Sequence, residues 1–214
     1  MKSKYPEKVI YEIPYYSQWE SRELANGYIK NPESVINDPL WANSGALSKE
    51  EYALWSNNVC GMACVKMILG YFTKNEYQTI KMAKDSLAYG AYTISGNNIE
   101  GLFYKGCVAF LKGEFDIEAS WLTNMSVDNI VDNLSKNNLV IASVSKYIRD
   151  TKPNVINKGG HLVVVVGFDT EKGLLYIHNP SGYYPDAQSF FPVTYDIFNE
   201  CFANRGIIIY EKSK

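Results

Sequence analysis

The spacing of apolar residues divides this chain of 214 residues into a helical first half and a strand-rich second half. From Cys60 to Phe72 the apolar positions recur at the i, i+3, i+4 spacing of one helix face. The same spacing predicts helices over about 76–88 and about 97–111, with ends accurate to about ±2–4 residues. Ser126 is a suitable N-cap for a further helix. The first half is therefore predicted to be mostly helical.

In the second half the apolar positions follow the spacing of β-strands, and two short strands are predicted earlier in the chain. The predicted strands cover residues 8–13, 118–122, 139–144, 162–168, 174–178 and 206–210. A short helix around 195–202 interrupts the later strands. Tight connections such as residues 169–173 favour antiparallel pairing. The expected fold class is therefore α+β.

Residues 20–59 show no sustained spacing and are rich in Asn, Ser, Glu and Pro, with Trp41 and Trp55 among them. We interpret them as an ordered loop segment with short helical turns, because tryptophan side chains need burial. The length of the chain fits one domain of two lobes over residues 1–214. We expect a mainly helical lobe over about 1–136, with an insertion at 19–59, and a mainly β lobe over about 137–214.

Composition and charge narrow the classes of function. A formal net charge of −2 gives no electrostatic reason to expect a nucleic-acid partner or a membrane surface. No apolar run approaches the roughly 18–20 residues of a membrane helix, and no signal peptide is visible, so we expect a cytoplasmic protein. Four cysteines are too few for a disulfide scaffold, and a Cys-x₃-Cys pair with two histidines is poor zinc spacing. We expect no metal and no cofactor.

One cysteine, one histidine and one asparagine occur in the order expected for a thiol nucleophile, its base and the residue that orients the base. Cys60 opens a predicted helix, whose N-terminus favours a thiolate. His161 follows a glycine pair at the start of a predicted buried strand, and Asn179 ends the next strand. Singly, these are more simply a core cysteine, a structural histidine and a turn asparagine. Together, in this order, they favour acyl transfer through a cysteine.

Four motifs resemble those of the papain-like cysteine peptidases. They are Tyr15-Tyr16-Ser17-Gln18, Cys60-Gly61-Met62-Ala63-Cys64, Gly160-His161 with Gly167-Phe168-Asp169, and Tyr176-Ile177-His178-Asn179-Pro180. They are most similar to the branch of double-glycine leader peptidases of bacteriocin exporters. The resemblance implies a helical lobe packed on an antiparallel β-sheet lobe, with the active site in the cleft between them. It also implies that Cys60 is the nucleophile and His161 the base. Asn179 then orients the imidazole, and Gln18 is the oxyanion donor.

The chain departs from this family pattern at two positions. Gln18 is separated from Cys60 by 41 residues, whereas the family's glutamine lies a few residues before its cysteine. An insertion can loop out and let Gln18 return, and Asn57 or Asn58 could replace it as the donor. Asn179 stands where the branch usually has Asp. A neutral amide can still orient an imidazole, but it cannot stabilise an imidazolium by charge.

The residues expected to contact the substrate are Trp19, Trp55, Asn58, Gly61 and Gly160. The segment 19–59 is expected to border the cleft, because it separates two residues that must converge. Trp41 and Trp55 should then influence the choice of substrate.

The sequence thus predicts an intracellular peptidase-like enzyme that forms an acyl-Cys60 thioester on a dedicated substrate. Water would make it a peptidase, and an amine would make it an amide-forming transferase. One alternative is an acyltransferase that uses carrier-protein thioesters in specialised-metabolite biosynthesis. Another is a papain-like binding module without turnover. The expected partner is a peptide or an acyl thioester. For the acyltransferase alternative, the thioester would be carried on a protein.

Overall fold

The structure of the protein is a computed structural model that describes residues 4–150 and 155–211. Its strands are β1 (Lys8–Ile10), β2 (Tyr92–Ser95), β3 (Asn98–Gly101), β4 (Ala119–Leu122), β5 (Leu139–Ser145), β6 (Gly160–Asp169), β7 (Leu174–His178), β8 (Phe191–Thr194) and β9 (Phe202–Ile209). Its α-helices are α1 (Ala25–Lys30), α2 (Lys49–Ser56), α3 (Cys60–Thr73), α4 (Thr79–Asp85), α5 (Tyr104–Phe115), α6 (Val127–Ser135) and α7 (Tyr195–Cys201). In these described ranges no helix has the length and apolar character that a membrane crossing requires.

The strands, apart from one hairpin, form a single antiparallel sheet, which confirms the predicted α+β class. Its order is β4-β9-β5-β6-β7-β8, with β1 added beside β6. β1 pairs with the end of β6 through Val9 opposite Phe168. β1 and β4 come from the part of the chain predicted to be mainly helical, about 1–136, so the sheet includes strands from both predicted lobes. β2 and β3 form the separate hairpin.

Neighbouring residues of the central strands enter two hydrophobic clusters, one on each face of the sheet. Ile141 and Val164 belong to the cluster that includes α3. Val140 and Val165 belong to the cluster that includes α6 and α7. Because helices cover both faces, β5 and β6 are apolar at consecutive positions instead of alternating. β6 is therefore a rigid, buried strand that carries His161 near its start.

α3 is buried along most of its length and packs against β6. Cys60 is its first residue, and the preceding Val59 makes no side-chain cap hydrogen bond. The backbone N–H groups of the first helical turn have no partner within the helix. The N-terminus of α3 therefore offers hydrogen-bond donors beside the cysteine.

Gly61 belongs to this packing contact, and its predicted role as a substrate contact stays a prediction. The residue is buried, and a Cβ at this position would lie 2.7 Å from Leu162 Cδ1 and 2.8 Å from Leu102 Cβ. Only a residue without a side chain lets the start of α3 approach β6 this closely.

Gly61→Ala is expected to lower the free energy of unfolding by about 1–3 kcal/mol, because the added methyl overpacks this contact. Urea denaturation followed by circular dichroism measures the change. Gly27→Ala is the matched control, since nothing lies within 4 Å of a Cβ built there. An equal loss in both variants would contradict the packing role of Gly61.

The predicted helix over 97–111 is wrong in its first part. β2 and β3 form a hairpin there, and α5 begins only at Tyr104. Gly96 lies between the two strands with φ +60°, a turn conformation that overrides the helical spacing of the apolar residues. The apolar pattern also did not predict β8, which contains Pro192. β8 pairs only with β7 in the described residues, and an edge strand tolerates proline.

The segment 19–59 is folded around a buried carboxylate. Asp38 accepts hydrogen bonds from the Ser21 backbone and hydroxyl, from the Leu40 backbone and from the Tyr52 hydroxyl. Short helices connect these residues, as the sequence predicted. The ends of the segment meet where Trp19 Nε1 donates to Asn57 Oδ1 over 3.1 Å. This contact returns the chain to the residues that immediately precede Cys60.

Candidate active site

Cys60 and His161 line one pocket of about 480 Å³ at the junction of α3 and β6. The pocket is also lined by Gly101, Leu102, Phe103, Tyr104, Trp121, Thr123, Ser143, Gly160, Leu162 and Arg205. Cys60 is partly exposed, whereas His161 is 4% exposed. Among the described residues, the imidazole makes hydrogen bonds to Asn179 and Ser181 and none to Cys60. The predicted nucleophile and base thus share a pocket without a direct hydrogen bond in this structure.

Asn179 fixes the protonation of His161. Its Oδ1 lies 2.8 Å from His161 Nε2 and accepts the Ser181 backbone N–H over 3.1 Å. A backbone N–H can only donate, so the atom facing it must be the amide oxygen. His161 Nε2 must then carry the hydrogen, which leaves the basic lone pair of the neutral ring on Nδ1. The geometry makes Nδ1 the nitrogen able to accept a proton.

Ser181 and Arg149 extend this cluster, and sequence analysis missed both. Ser181 is fully buried, and its Oγ lies 3.1 Å from His161 Nε2. Arg149 donates to the same Oγ from Nε over 3.2 Å and also from one Nη. Ser181 follows Asn179 by two residues in a turn, a position that could have signalled it. Arg149 has no local signal, since only the fold brings it to this turn.

The pKa values of the site favour a neutral thiol and a neutral imidazole. Burial, and secondly the positive charge of Arg149, lower the pKa of His161 to about 3, against the opposing effect of the bond to Asn179. Burial raises the pKa of the Cys60 thiol, although hydrogen bonds from backbone groups and the Arg149 charge act in the other direction. This resting geometry therefore does not favour a thiolate–imidazolium pair. The lone pair on Nδ1 stays free to accept the thiol proton during attack, and the lowered pKa makes this nitrogen a weak base in the resting geometry.

The rate constant for alkylation of Cys60 by iodoacetamide is expected to rise about tenfold per pH unit from pH 6 to pH 8, because only the thiolate reacts. Cys64, Cys107 and Cys201 are fully buried, so the first adduct should form on Cys60. Peptide mass spectrometry at timed intervals measures this. A rate independent of pH from 5 to 8 would instead indicate a preformed thiolate–imidazolium pair.

Asn179→Asp tests the cause of this pH dependence. A carboxylate beside Nε2 would raise the pKa of His161 and favour the ion pair, so the alkylation profile should flatten toward acid pH. Asn58→Asp adds the same charge at an exposed position before Cys60 and should leave the profile unchanged. Equal profiles for Asn179→Asp and the unmodified protein would exclude this electrostatic account.

Gln18 lies beside the segment that leads into Cys60, despite the 41 intervening residues. Its Nε2 donates to the Ser56 carbonyl over 3.1 Å, and its backbone N–H donates to the Pro180 carbonyl over 2.9 Å. Gln18 is 6% exposed, and its second Nε2 hydrogen makes no hydrogen bond within the described residues. It therefore retains one amide donor for a substrate oxygen.

Asn57 and Asn58, which could replace Gln18, already use their side-chain amides in other hydrogen bonds. Asn57 Nδ2 donates to the Pro32 carbonyl over 3.2 Å, and its Oδ1 accepts from Trp19. Asn58 is exposed, and its Nδ2 donates to the Leu54 carbonyl over 3.0 Å. The geometry therefore favours Gln18 as the candidate oxyanion donor. That role stays a prediction.

Comparison with known proteins shows the family and the fold of the chain. The family model described as Peptidase_C39 like family matches residues 10–200 of the chain. The chain belongs to this family. A crystal structure described as a C39-like peptidase from Bacillus anthracis aligns with a TM-score of 0.59 and 13% identity, covering 98% of this chain and 100% of that chain. At this identity the likeness shows the fold, and it confirms the predicted papain-like α+β architecture. No curated protein matches the chain.

Of the substrate contacts predicted for this C39-like chain, two lie on pockets. Gly160 has φ +85° and lines the pocket of Cys60, with open space around a Cβ built there. Trp19 lines a second pocket together with Gln18. Asn58 lines neither of these two pockets. The contacts of Gly160 and Trp19 with substrate stay predictions.

Trp55 is a buried core residue, and its predicted contact with substrate stays a prediction. It is 2% exposed and packs edge-to-face on Tyr92, with ring centroids 5.6 Å apart. Neither Trp55 nor Trp41 lines the two pockets near Gln18 and Cys60. The predicted influence of these two tryptophans on substrate choice stays a prediction. Trp19, at the start of the same segment, is 3% exposed and lines the pocket of Gln18.

His178 shows what a structural histidine looks like in this C39-like fold. Its Nε2 lies 2.9 Å from the Ile13 carbonyl, and its Nδ1 accepts the Phe190 backbone N–H over 3.0 Å. Both ring nitrogens are thus occupied, and the residue is fully buried. His161 differs from it because its Nδ1 makes no hydrogen bond in the described ranges.

Proposed function

We propose that this chain is a thiol-dependent, peptidase-like enzyme that transfers an acyl group through a thioester on Cys60. The observation that carries the proposal is the bond from His161 Nε2 to Asn179 Oδ1. It leaves a basic Nδ1 on a histidine that lines the pocket of Cys60. Membership of the Peptidase_C39 like family supports cysteine peptidase-like chemistry.

In the proposed reaction, the Cys60 thiol gives its proton to His161 Nδ1 while Sγ attacks the substrate carbonyl carbon. The resulting oxyanion accepts hydrogen bonds from the Cys60 backbone N–H and from Gln18 Nε2. When the tetrahedral species collapses, the C–N bond breaks and the amine leaves with the proton from Nδ1. An acyl-Cys60 thioester and a neutral imidazole remain.

The second half of the reaction regenerates the thiol. Water, or an amine, attacks the thioester carbon and gives a proton to His161 Nδ1. The C–S bond then breaks, and Sγ recovers the proton. Asn179 keeps the ring oriented by accepting from Nε2 throughout, and as a neutral amide it contributes position and not charge.

The substrate proposed for this reaction is a peptide, in line with the resemblance to double-glycine leader peptidases. An acyl thioester on a carrier protein is the alternative donor. Intact mass spectrometry after mixing with each donor class tests both, because an acyl adduct on Cys60 adds the mass of the acyl group. An adduct that disappears with release of free acid supports hydrolysis. Amide formation that rises with added amine supports transfer.

The same experiment separates an enzyme from a binding module. A chain that binds the donors and forms neither adduct nor product over long incubation would overturn the proposed chemistry. Cys60→Ser is the matched control, since a hydroxyl in place of the thiol keeps the size of the side chain and gives no thioester.

A further inference from the structure

A second pocket of about 430 Å³ lies beside the candidate active site. Its wall includes four aromatic residues, Trp19, Tyr28, Tyr147 and Tyr183, and two cations, Lys146 and Arg149. No Asp or Glu is found among the described residues that line it. Gln18 also lines it, and Ser181 connects its Arg149 to His161 of the first pocket. A positive, aromatic pocket thus adjoins the reacting groups.

Arg149 has guanidinium N–H groups in this pocket that are free, as far as the described residues go, to bind a ligand. A guanidinium has five N–H groups, and two of them bind Ser181 Oγ. The Tyr183 side chain and the charge of Asp150 also act on the guanidinium, and within the described part of the chain the remaining N–H groups are free for a ligand. In residues 4–150 and 155–211, Arg149 makes no ion pair. It also contacts the Tyr183 ring, whose centroid lies 5.9 Å from the guanidinium carbon. Burial lowers the pKa of Arg149, and the guanidinium remains charged at neutral pH.

Lys146 is a second cation without a carboxylate partner in the part of the chain that the structure describes. It is exposed, with Nζ 5.7 Å from the centroid of the Tyr147 ring. Other lysines of the chain do pair with carboxylates, among them Lys84 with Glu51 at 2.6 Å. Two unpaired cations therefore face one pocket whose described lining contains no negative charge to neutralise them.

We propose that this pocket binds a carboxylate of the substrate. The guanidinium fork of Arg149 matches a carboxylate, and Lys146 adds a mobile charge at the rim. The aromatic side chains provide apolar surface for the group that bears the carboxylate. Because Gln18 lines the same pocket, the bound carboxylate would lie close to the carbonyl that Cys60 attacks. The inference rests on the proposed function only in naming the bound molecule a substrate.

The first test is a binding measurement on the Cys60→Ala protein, which cannot turn over. Hippurate carries a carboxylate on a small aromatic acyl-glycine, and hippuramide is its neutral counterpart. Ligand-observed NMR titration is expected to show that hippurate binds about tenfold more tightly, because a charge-assisted bond to a guanidinium is among the stronger hydrogen bonds. A second pair, the α-amides of N-acetylglutamate and N-acetylglutamine, presents a side-chain carboxylate.

The two probe pairs distinguish the source of the carboxylate. A preference within the hippurate pair supports a C-terminal carboxylate, and a preference within the second pair supports an acidic side chain. Equal affinities within both pairs would overturn the proposal. Catalysis is absent from this measurement, so the result is separate from the test of the acyl-Cys60 intermediate.

Three charge-removing variants locate the binding site. Arg149→Gln should abolish most of the preference for the carboxylate, and Lys146→Gln should reduce it about two- to threefold, since an exposed charge is screened. Arg205→Gln removes the same charge from the pocket of Cys60 and should leave the preference unchanged. Binding of the neutral probes reports whether each variant keeps its fold. An equal reduction in Arg205→Gln would assign the preference to the combined positive charge near both pockets, and would overturn the proposal that the second pocket binds the carboxylate.

Discussion

Cys60→Ala and His161→Ala are each expected to lower turnover by about 10⁴-fold or more, toward the rate that binding and oxyanion donors alone sustain. The first removes the atom that forms the thioester. The second removes the only imidazole of the chain with an unoccupied ring nitrogen in the described residues, since both nitrogens of His178 hold backbone groups. Product formation from the peptide or thioester donors, under single-turnover conditions, measures both losses.

Cys64→Ala is the matched control for this prediction. Cys64 lies one turn further along α3, is fully buried, and donates its thiol to the Leu162 carbonyl. Its substitution should cost stability and leave the turnover of the folded protein near its starting value. If Cys60→Ala retains turnover while Cys64→Ala loses it, the nucleophile has been assigned to the wrong residue of the helix.

Where local sequence patterns specify an element, the sequence predicted the structure closely. α3 begins at Cys60 because the helical spacing of apolar residues begins there, and β7 ends at His178 immediately before Asn179. The candidate site residues Cys60, His161 and Asn179 could be proposed for the same reason. Each lies at or beside the end of a helix or strand with a clear apolar pattern. Two glycines before His161 added a further local signal. Such signals depend only on neighbours in the chain.

Features that depend on tertiary contacts could not be predicted in this way. Arg149 reaches Ser181 across 32 positions, and the charge that lowers the pKa of His161 follows from that contact. Trp55 was predicted to line the cleft, yet its position in the core depends on Tyr92 of the missed hairpin. Composition alone does not distinguish a tryptophan that covers a cleft from one that fills a core.

The charges around His161 distinguish this site from one with an aspartate at position 179. Asn179 supplies no negative charge, and Arg149 supplies a positive one through Ser181. Both differences disfavour an imidazolium and favour any negative charge that develops nearby, such as a thiolate or an oxyanion. The site is therefore expected to transfer the thiol proton during attack instead of storing it on the ring beforehand. Because the pKa of His161 is lowered to about 3, the ring is neutral at neutral pH, and the same lowering makes it a weaker base for the thiol proton.

Gln18→Ala is expected to lower kcat by about 10²–10³-fold if its amide donates to the oxyanion. The physical reason is that the bond to Nε2 strengthens only as the carbonyl oxygen gains negative charge. A loss of this kind lowers kcat and kcat/KM together and leaves KM nearly unchanged. Initial rates over a range of donor concentrations separate the two parameters. The expected cost to stability is small, because the Gln18 amide holds the fold through its hydrogen bond to the Ser56 carbonyl alone within the described residues.

Asn58→Ala provides the comparison for Gln18→Ala. It also removes an amide close to Cys60 in sequence, but one that is exposed and bound to the Leu54 carbonyl, so kcat should stay unchanged. Gln18 lines the second pocket. A rise in KM at constant kcat would therefore show that Gln18 binds substrate in that pocket without stabilising the oxyanion. An unchanged rate in Gln18→Ala with a loss in Asn57→Ala would move the donor to Asn57. A loss in kcat would indicate that Gln18 donates to the oxyanion, even though 41 residues separate it from Cys60. A rise in KM alone would indicate that Gln18 only lines the second pocket.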